Sequence, residues 1–388
     1  MIQMNDVIVI GGGPSGLHTA GLLADSGLDV KLFEKKNRIG EDILCTGIIG
    51  KEAFERFGLK EDSILSELAY MNMVSPSGTS LRYDHGKVFA CVVDRKKFDL
   101  NLAHKALSCG AQIFTGTRVE NIRNAGDYIE VSSFSKKRGE TRHRAKIAVL
   151  ATGIEYRLHK KIGLGYPKNY INGAQVELDV INGEGPLIMV GSKVAPGAFA
   201  WNIPVRKNRT RLGLITEKDA AFYLKKLVSS LYPEKVTALE SEQFLSKIIA
   251  QGPVSKTYSH RVIAVGEAAA QVKTTTGGGI YYGLLCSKIA AETILRKFPT
   301  DSFELSDLSE YERSWKKAIK RELLVGYFAR RTCGRLGDKD VEKLFQLAKT
   351  NGVFPLIRER GKFDWQVDLI LELAKKASIP SLKTLIKI

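Results

Sequence analysis

The sequence predicts an α/β fold: a Rossmann-like nucleotide-binding domain, an antiparallel-sheet substrate domain and a helical C-terminal region. Three observations predict it. Residues 7–34 run strand, glycines, helix, strand and acid in that order. Strand-like and helix-like runs alternate to about residue 155 and resume at 261–296, the habit of an α/β sheet. Between them, residues 165–250 carry longer alternating strands, which read as an antiparallel sheet.

Taken in order, residues 7–10 (Val-Ile-Val-Ile) form a buried strand and 17–23 continue as a helix. Between them Gly11, Gly13 and Gly16 fill the G-x-G-x-x-G places: tight turn, close approach of a pyrophosphate, and helix-on-strand packing. Phosphates bind the free N–H groups of such a helix start, aided by the helix dipole. Glu34 closes the second strand (29–34), where a carboxylate can hold a ribose hydroxyl pair, with Lys35 beside it. Residues 51–57 read as a short helix, and 94–99 open a helix that runs through 108. A buried strand follows at 113–114, then a hairpin of 129–134 and 147–151 with 136–140 as its exposed turn. Strands at 174–180, 187–190, 200–205 and 211–216 build the second domain. The first resumes at 261–267 and ends in a helix at 280–296; beyond Pro299 the chain is helical and basic. The expected boundaries are 1–75, 95–160 and 255–300 for the nucleotide domain, 76–94 and 161–254 for the substrate domain, and 301–388 for the C-terminal region.

At 388 residues, 44% hydrophobic and 26% charged, the chain has the composition of a soluble globular protein with two or three cores. Five cysteines lie far apart with no C-x-x-C pair, which excludes a zinc ribbon, argues against a disulfide framework and points to a reducing cytoplasm. The N-terminus leads straight into the first strand, so no secretory signal is expected, and no run reads as a membrane span. The formal charge of +17 is uneven: 131–170 hold ten Lys/Arg against two acids, and 311–388 eighteen against nine. A solvated basic surface explains it, as does an anionic membrane face or a phosphate-bearing substrate. Nucleic acid is not expected, because no nucleic-acid module accompanies the charge. The protein is expected in the cytoplasm or peripheral on the inner membrane face.

Four separated pieces point to FAD: the fingerprint with Glu34; Asp94-Arg95 opening a helix; Ala151-Thr152-Gly153 ending a strand; and Val265-Gly266-Glu267 followed by Thr274-Thr275-Thr276-Gly277-Gly278-Gly279-Ile280. In the last, an acid at a strand end faces the ribityl chain and a glycine loop starts the helix beneath the isoalloxazine. Its unshielded N–H groups suit the negative charge that a reduced flavin carries near N1. There is no second G-x-G-x-x-G, so a nicotinamide donor would bind without its own Rossmann domain.

With these pieces in place, nearly the whole chain resembles the geranylgeranyl reductase family, within the p-hydroxybenzoate hydroxylase-like flavoproteins. Cys45-Thr46-Gly47 is similar to the family's cysteine-glycine loop, and residues 94–99 to its acid-Arg-x-x-Phe-Asp helix start. Residues 196–204 (Pro-Gly-Ala-Phe-Ala-Trp-Asn-Ile-Pro) resemble its Pro-Gly-x-Tyr-x-Trp-x-Phe-Pro strand, 266–279 its Gly-Asp-Ala-Ala segment, and 311–315 with the basic helices its C-terminal region. The resemblance implies FAD-dependent saturation of carbon–carbon double bonds in polyprenyl chains. Implied cofactor contacts are Ser15, Glu34, Cys45, Thr46, Arg95, Val119, Glu267, Gly279 and Ile280; Thr152, Gly153, Gly266, Gly277 and Gly278 join them from the four pieces. Two departures stand out. Glu267 replaces Asp, one methylene longer, and Phe199 and Ile203 replace Tyr and Phe. Residues 199–204 also approach the Trp-x-Trp-x-Ile-Pro box of flavin-dependent halogenases, while the C-terminal match favours the reductases.

Cys45 is the first expected residue at the flavin face, shaping the pocket or shuttling a proton; a small buried hydrophobe is the plainer alternative. Trp201 is expected as a pocket wall or as inter-domain packing, and Tyr281 (or Tyr282) as a hydrogen-bond donor or as core. His18 and His104 read as structural, and His260 has no obvious partner. The six histidines form no ligand cluster, so no metal is expected. Residues 365–376 mix an apolar stripe with a basic end, and 381–388 follow: a helix packed on its own domain, or a lip on the membrane. Expected partners are a prenyl-chain lipid, an electron donor (NADPH, ferredoxin or quinol) and an anionic membrane surface. A flavin monooxygenase or halogenase, and a non-catalytic flavoprotein that binds a prenyl lipid, are the rival readings.

Overall fold

Residues 7–10 are apolar at consecutive positions, which suits a strand covered on both faces, and that is where they lie: Val7, Ile8 and Val9 are fully buried. A computed structural model of the chain describes residues 3–181, 183, 185–236, 245–350 and 353–376; the segment 381–388 lies outside them. The strand Met4–Ile10 is the middle of five parallel strands, in the order Val262–Ala264, Gly139–Leu150, Met4–Ile10, Val30–Phe33 and Gln112–Phe114. The helices Pro14–Asp25, Arg95–Ser108 and Ile280–Lys297 cover one face through Val7, Val9, Leu17, Leu32 and Ile294. On the other face, Ile8, Ile10 and Phe33 pack against Val119, Ile122, Ile129 and Val131 of the antiparallel strands Thr117–Asn124 and Ile129–Ser135.

Here the expectations need adjusting. The hairpin partner is one strand of 12 residues, Gly139–Leu150, whose first half pairs with Ile129–Ser135 and whose second half pairs with Met4–Ile10. The expected buried strand at 113–114 is instead a sheet edge with Ile113 and Phe114 half-buried, because only Val30–Phe33 pairs with it.

The second sheet has seven strands, in the order Leu245–Gln251, Asn169–Leu178, Arg209–Thr216, Phe199–Arg206, Leu187–Val190, Tyr70–Val74 and Ser80–Asp84. Alternation divides its side chains. Ala174, Val176, Leu212 and Leu214 point outward under the helix Ala220–Leu231. Ile171, Trp201, Ile203 and Ile215 point inward toward the parallel sheet's domain. A small third sheet, Ile48–Gly50, Ala90–Val93 and Ile64–Leu68, lies between the two.

Two boundaries are corrected. Tyr70–Val74, allotted to the first domain, pairs with Leu187–Val190, so the second sheet begins before residue 76. The helix Leu305–Cys333 is not a separate region: Leu308, Tyr311, Trp315, Ile319 and Leu323 belong to the first domain's core. Shorter helices, Asp338–Thr350, Val353–Arg360 and Val367–Lys376, close the described chain. No helix among the described residues is long and apolar enough to cross a membrane.

Candidate flavin and substrate site

Register builds the first half of the site. Ile10 pairs with both Phe33 and Leu150, and Leu150 pairs with Ala264. The residues that follow each strand, Gly11, Glu34, Ala151 and Val265, therefore form one rim at the carboxyl ends of the parallel strands. Gly11 has φ +114°, and a Cβ there would lie 2.2 Å from the Ala151 carbonyl oxygen. A Cβ on Gly16 would lie 1.9 Å from the Gly11 oxygen, so helix and strand meet only through glycine. Gly13 is the contrast: a Cβ there would meet nothing within 4 Å, and no side chain caps the helix it precedes. Open backbone at an uncapped helix start is what a diphosphate needs. The Glu34 carboxylate accepts from the Gly12 N–H at 2.6 Å and the Lys36 N–H at 2.8 Å, so its position on the rim is fixed.

The other predicted pieces reach the same rim. Ser15 lies against both Gly266 and Gly283, where an added Cβ would fall 2.3 Å from its Oγ. Lys35 Nζ is 2.6 Å from Glu155 Oε2, and the Thr152 hydroxyl donates to the Glu155 carbonyl at 2.9 Å. Gly153 is 3.9 Å, measured from an ideal Cβ, from Glu267 Oε2. Val119 is buried, its carbonyl accepting from Arg157 at 2.9 Å, in a strand whose Thr117 N–H bonds the Glu34 carbonyl. The loop 273–278 closes through Lys273 N–H to the Gly278 carbonyl and Gly277 N–H to the Lys273 carbonyl, ahead of Gly279 and the helix that starts at Ile280.

The second half of the site is the inner face of the seven-stranded sheet. Phe199, Trp201 and Ile203 alternate on one strand, so all three face inward. Trp201 lies across Gly213, where a Cβ would fall 2.4 Å from its ring, toward Gln175 on the next strand. The Gln175 amide donates to the Cys45 carbonyl at 3.4 Å. Cys45 is half-buried, and the Gly47 N–H approaches its Sγ at 3.3 Å. Arg211, 6% exposed, donates to Glu177 at 2.6 and 2.9 Å and to the Thr46 carbonyl. Arg95 holds the loop from its other side: its guanidinium forks onto Asp99 at 3.1 Å and interacts with Cys45. Although burial opposes it, Asp99 and then Cys45 hold the Arg95 guanidinium above its ordinary value.

Cys45 and Trp201 are thus connected through Gln175, which bonds the Cys45 carbonyl and lies beyond Gly213 from Trp201 on the inner face of the sheet. Tyr281 is not with them. Its hydroxyl is spent on Glu52 and Arg56, each at 2.8 Å, and on the Trp365 indole at 3.2 Å, inside the helical core. His260, expected without a partner, pairs with Glu304 at 2.8 Å and Asn124 at 2.5 Å. Among the described residues no group of three His, Cys, Asp or Glu could hold a metal ion. Sequence reading passed over Gln175, Glu177, Arg211, Lys247 and Lys273. Arg211 left a signal: it shares strand phase with Gly213 and Ile215, so a charge on that face points inward.

Comparisons agree with this geometry. Residues 4–284 match the family described as FAD binding domain. A curated relative, digeranylgeranylglycerophospholipid reductase 1 of Methanococcoides burtonii, is 29% identical over 366 residues, 89% of this chain and 87% of the relative. A crystal structure of a geranylgeranyl bacteriochlorophyll reductase-like protein from Thermoplasma acidophilum superposes with a TM-score of 0.83 at 19% identity, over 97% of this chain and all of that one. The p-nitrophenol 4-monooxygenase of Pseudomonas putida follows the same fold, with a TM-score of 0.73 at 18% identity over 96% and 98% of the two chains. The glycine rim, the uncapped helix start and this match together place the chain in the FAD binding domain family, as an FAD-dependent oxidoreductase.

Proposed function

We propose that the protein saturates carbon–carbon double bonds of a geranylgeranyl chain carried on a lipid, quinone or related precursor. The observation that carries this reading is the apolar cluster on the inner face of the second sheet, where Ile171, Trp201, Ile203 and Ile215 pack with Leu68, Ala90 and Val92 of the small third sheet. The curated relatives' names support it. An apolar face of this kind suits a long hydrocarbon, since each buried CH₂ is worth about 0.8 kcal/mol. Polar groups on the same face are paired: Arg211 with Glu177, and Gln175 with the Cys45 carbonyl.

FAD held by these residues would, when reduced, supply hydride chemistry, and saturation of the alkene also requires a proton at its other carbon. The chain's own residues perform the rest. The apolar wall excludes water and holds the alkene in one orientation, which an unpolarised double bond requires. Arg95 and Arg211 fix the Cys45 loop from two sides. The Cys45 thiol is the group we assign to deliver the proton. Ser15, Glu34, Thr46, Val119, Glu267 and Ile280, with the glycines between them, form the assigned cofactor cradle, and electrons arrive from NADPH, ferredoxin or a quinol. The net charge of +17 suits withdrawal of the lipid from an anionic membrane face.

The test is anaerobic. The purified flavoprotein is reduced with dithionite, geranylgeranyl-bearing lipids are added, and flavin reoxidation and product mass are followed together. Reoxidation with two hydrogens gained per double bond is expected, and Cys45→Ala should slow it at least about a hundredfold, the lower end of the about 10²–10⁴-fold that a positioned general acid contributes. A flavin that stays reduced until air is admitted would overturn the reading for these lipids and favour oxygen chemistry on an aromatic substrate.

A further inference from the structure

The edge strand Leu245–Gln251 carries its side chains alternately, and Lys247 and Ile249 share the inner face, opposite Gly173 and Ile171. Ile249 fits against the glycine loop, where a Cβ on Gly277 would lie 3.1 Å from its Cδ1. Two residues earlier, Lys247 Nζ stands 2.5 Å from Glu267 Oε2. The strand thus crosses the rim from the strand-end acid to the glycine loop. Its ammonium is thereby tied to the segment whose Gly266 packs on Ser15, at the uncapped helix start.

The charges there need balancing. The first turn of the helix Pro14–Asp25 holds no basic residue, and Ser15 offers only a hydroxyl and an N–H. A flavin dinucleotide brings two phosphate charges to a rim that already carries the Glu267 carboxylate. Lys247 is a cation beside that carboxylate, held in a partly buried pair with side-chain exposures of 30% and 19%, whereas the Arg95 guanidinium is forked onto Asp99. In this partly buried setting neither charge is fully screened by water.

We propose that Lys247, contributed by the substrate sheet, is a cofactor-binding residue. Its ammonium engages the phosphate nearest the ribityl chain, and Glu267 bridges that ammonium to a ribityl hydroxyl. The longer side chain of Glu267, one methylene beyond the Asp expected at this position, reaches a partner that lies across the domain boundary. The inference rests on FAD as cofactor and stands apart from the choice of substrate.

The holoenzyme provides the test. FAD dissociation is measured by dilution, through the fluorescence of released flavin, at two ionic strengths. Riboflavin, which has no phosphate, is then titrated as a competitor. Lys247→Gln should weaken FAD about tenfold, the usual value of one charge-assisted hydrogen bond, and flatten its salt dependence. Riboflavin affinity should hold, and Lys247→Arg should recover most of the loss. A fall of equal size for FAD and riboflavin would overturn the proposal, as would an unchanged FAD constant. Should Lys247→Gln fold poorly, Glu267→Gln supplies the background. With Glu267 neutral, the added Lys247→Gln change should still weaken FAD; if it does not, Lys247 only neutralises Glu267 and the phosphate contact is wrong.

Discussion

His18 and His159 are buried in surroundings that disfavour their charged form. His18 sits in the first helix, 6% exposed and edge-on to Phe57 with centroids 5.9 Å apart. Burial, then Lys105 and Lys288, lowers its pKa from 6.5 to about 4. His159 is fully buried; it donates from Nε2 to the Ala268 carbonyl at 3.0 Å, its Nδ1 has no partner, and burial lowers it to about 4 despite that bond. Both folded-state values lie below the unfolded one, so the unfolded chain takes up more protons as pH falls from 6.5 toward 4. Stability is therefore full near pH 7 and declines through that window, by about 3 kcal/mol per histidine at pH 4. Urea midpoints measured between pH 7 and 4 should fall accordingly, and His18→Leu should lose about half of this component. A variant that keeps the whole acid slope would show that His18 does not titrate as assigned.

At the scale of the element, the helix Arg95–Ser108 shows what sequence conveys and what it withholds. Asp94 was legible as a helix-opening acid, and its side chain does cap the Lys97 N–H at 3.1 Å. The task of Asp99 was not legible. It is 2% exposed and holds Arg95 through two bonds of 3.1 Å, one turn along the same helix. Asp99→Ala leaves a buried guanidinium without its carboxylate and should cost about 3 kcal/mol, against about 1 for Asp94→Ala. Denaturant unfolding with flavin content read in parallel checks this; equal costs would mean that the pair carries no special weight. The strands divide in the same way. The run 7–10 and the alternation at 199–203 declare themselves locally. The strands Tyr70–Val74 and Leu245–Gln251 were missed because their hydrogen-bonding partners lie far away in the chain, and register across such a gap is set by packing. Lys247 was hidden for that reason.

At the scale of the molecule, the C-terminal region closes over the glycine loop 273–278. The sequence offered two places for the apolar stripe of 365–376, a membrane or the protein itself, and in the structure it packs on the protein. Val367 and Ala374 are buried, and Trp365 meets Tyr281 and Tyr282 with centroids 5.8 and 6.0 Å apart. Local periodicity could not choose, because the stripe is the same on either surface. The contact is polar at its centre. Lys273, next to the Thr-Gly loop, donates to Asp364 at 2.8 Å; the two side chains are 6% and 4% exposed, and the ammonium sits 4.2 Å from the Phe363 ring centroid. The Tyr282 hydroxyl donates to the Asp364 carbonyl at 2.9 Å, and Glu322 accepts from the Gln366 N–H at 2.9 Å. A buried pair of this kind is costly to break from one side and much cheaper to remove whole. Asp364→Ala should therefore cost about 3 kcal/mol, speed hydrogen exchange across 353–376, and expose Arg358, Arg360 and Lys362 to trypsin. Because the loop 273–278 leads into the helix start at Ile280, flavin content should fall with it. Lys273→Met combined with Asp364→Leu removes both charges and should restore part of the stability. If exchange in 353–376 is unchanged in Asp364→Ala, the segment is held by Trp365 and its apolar neighbours alone, and the ion pair does not couple the C-terminal region to the flavin loop.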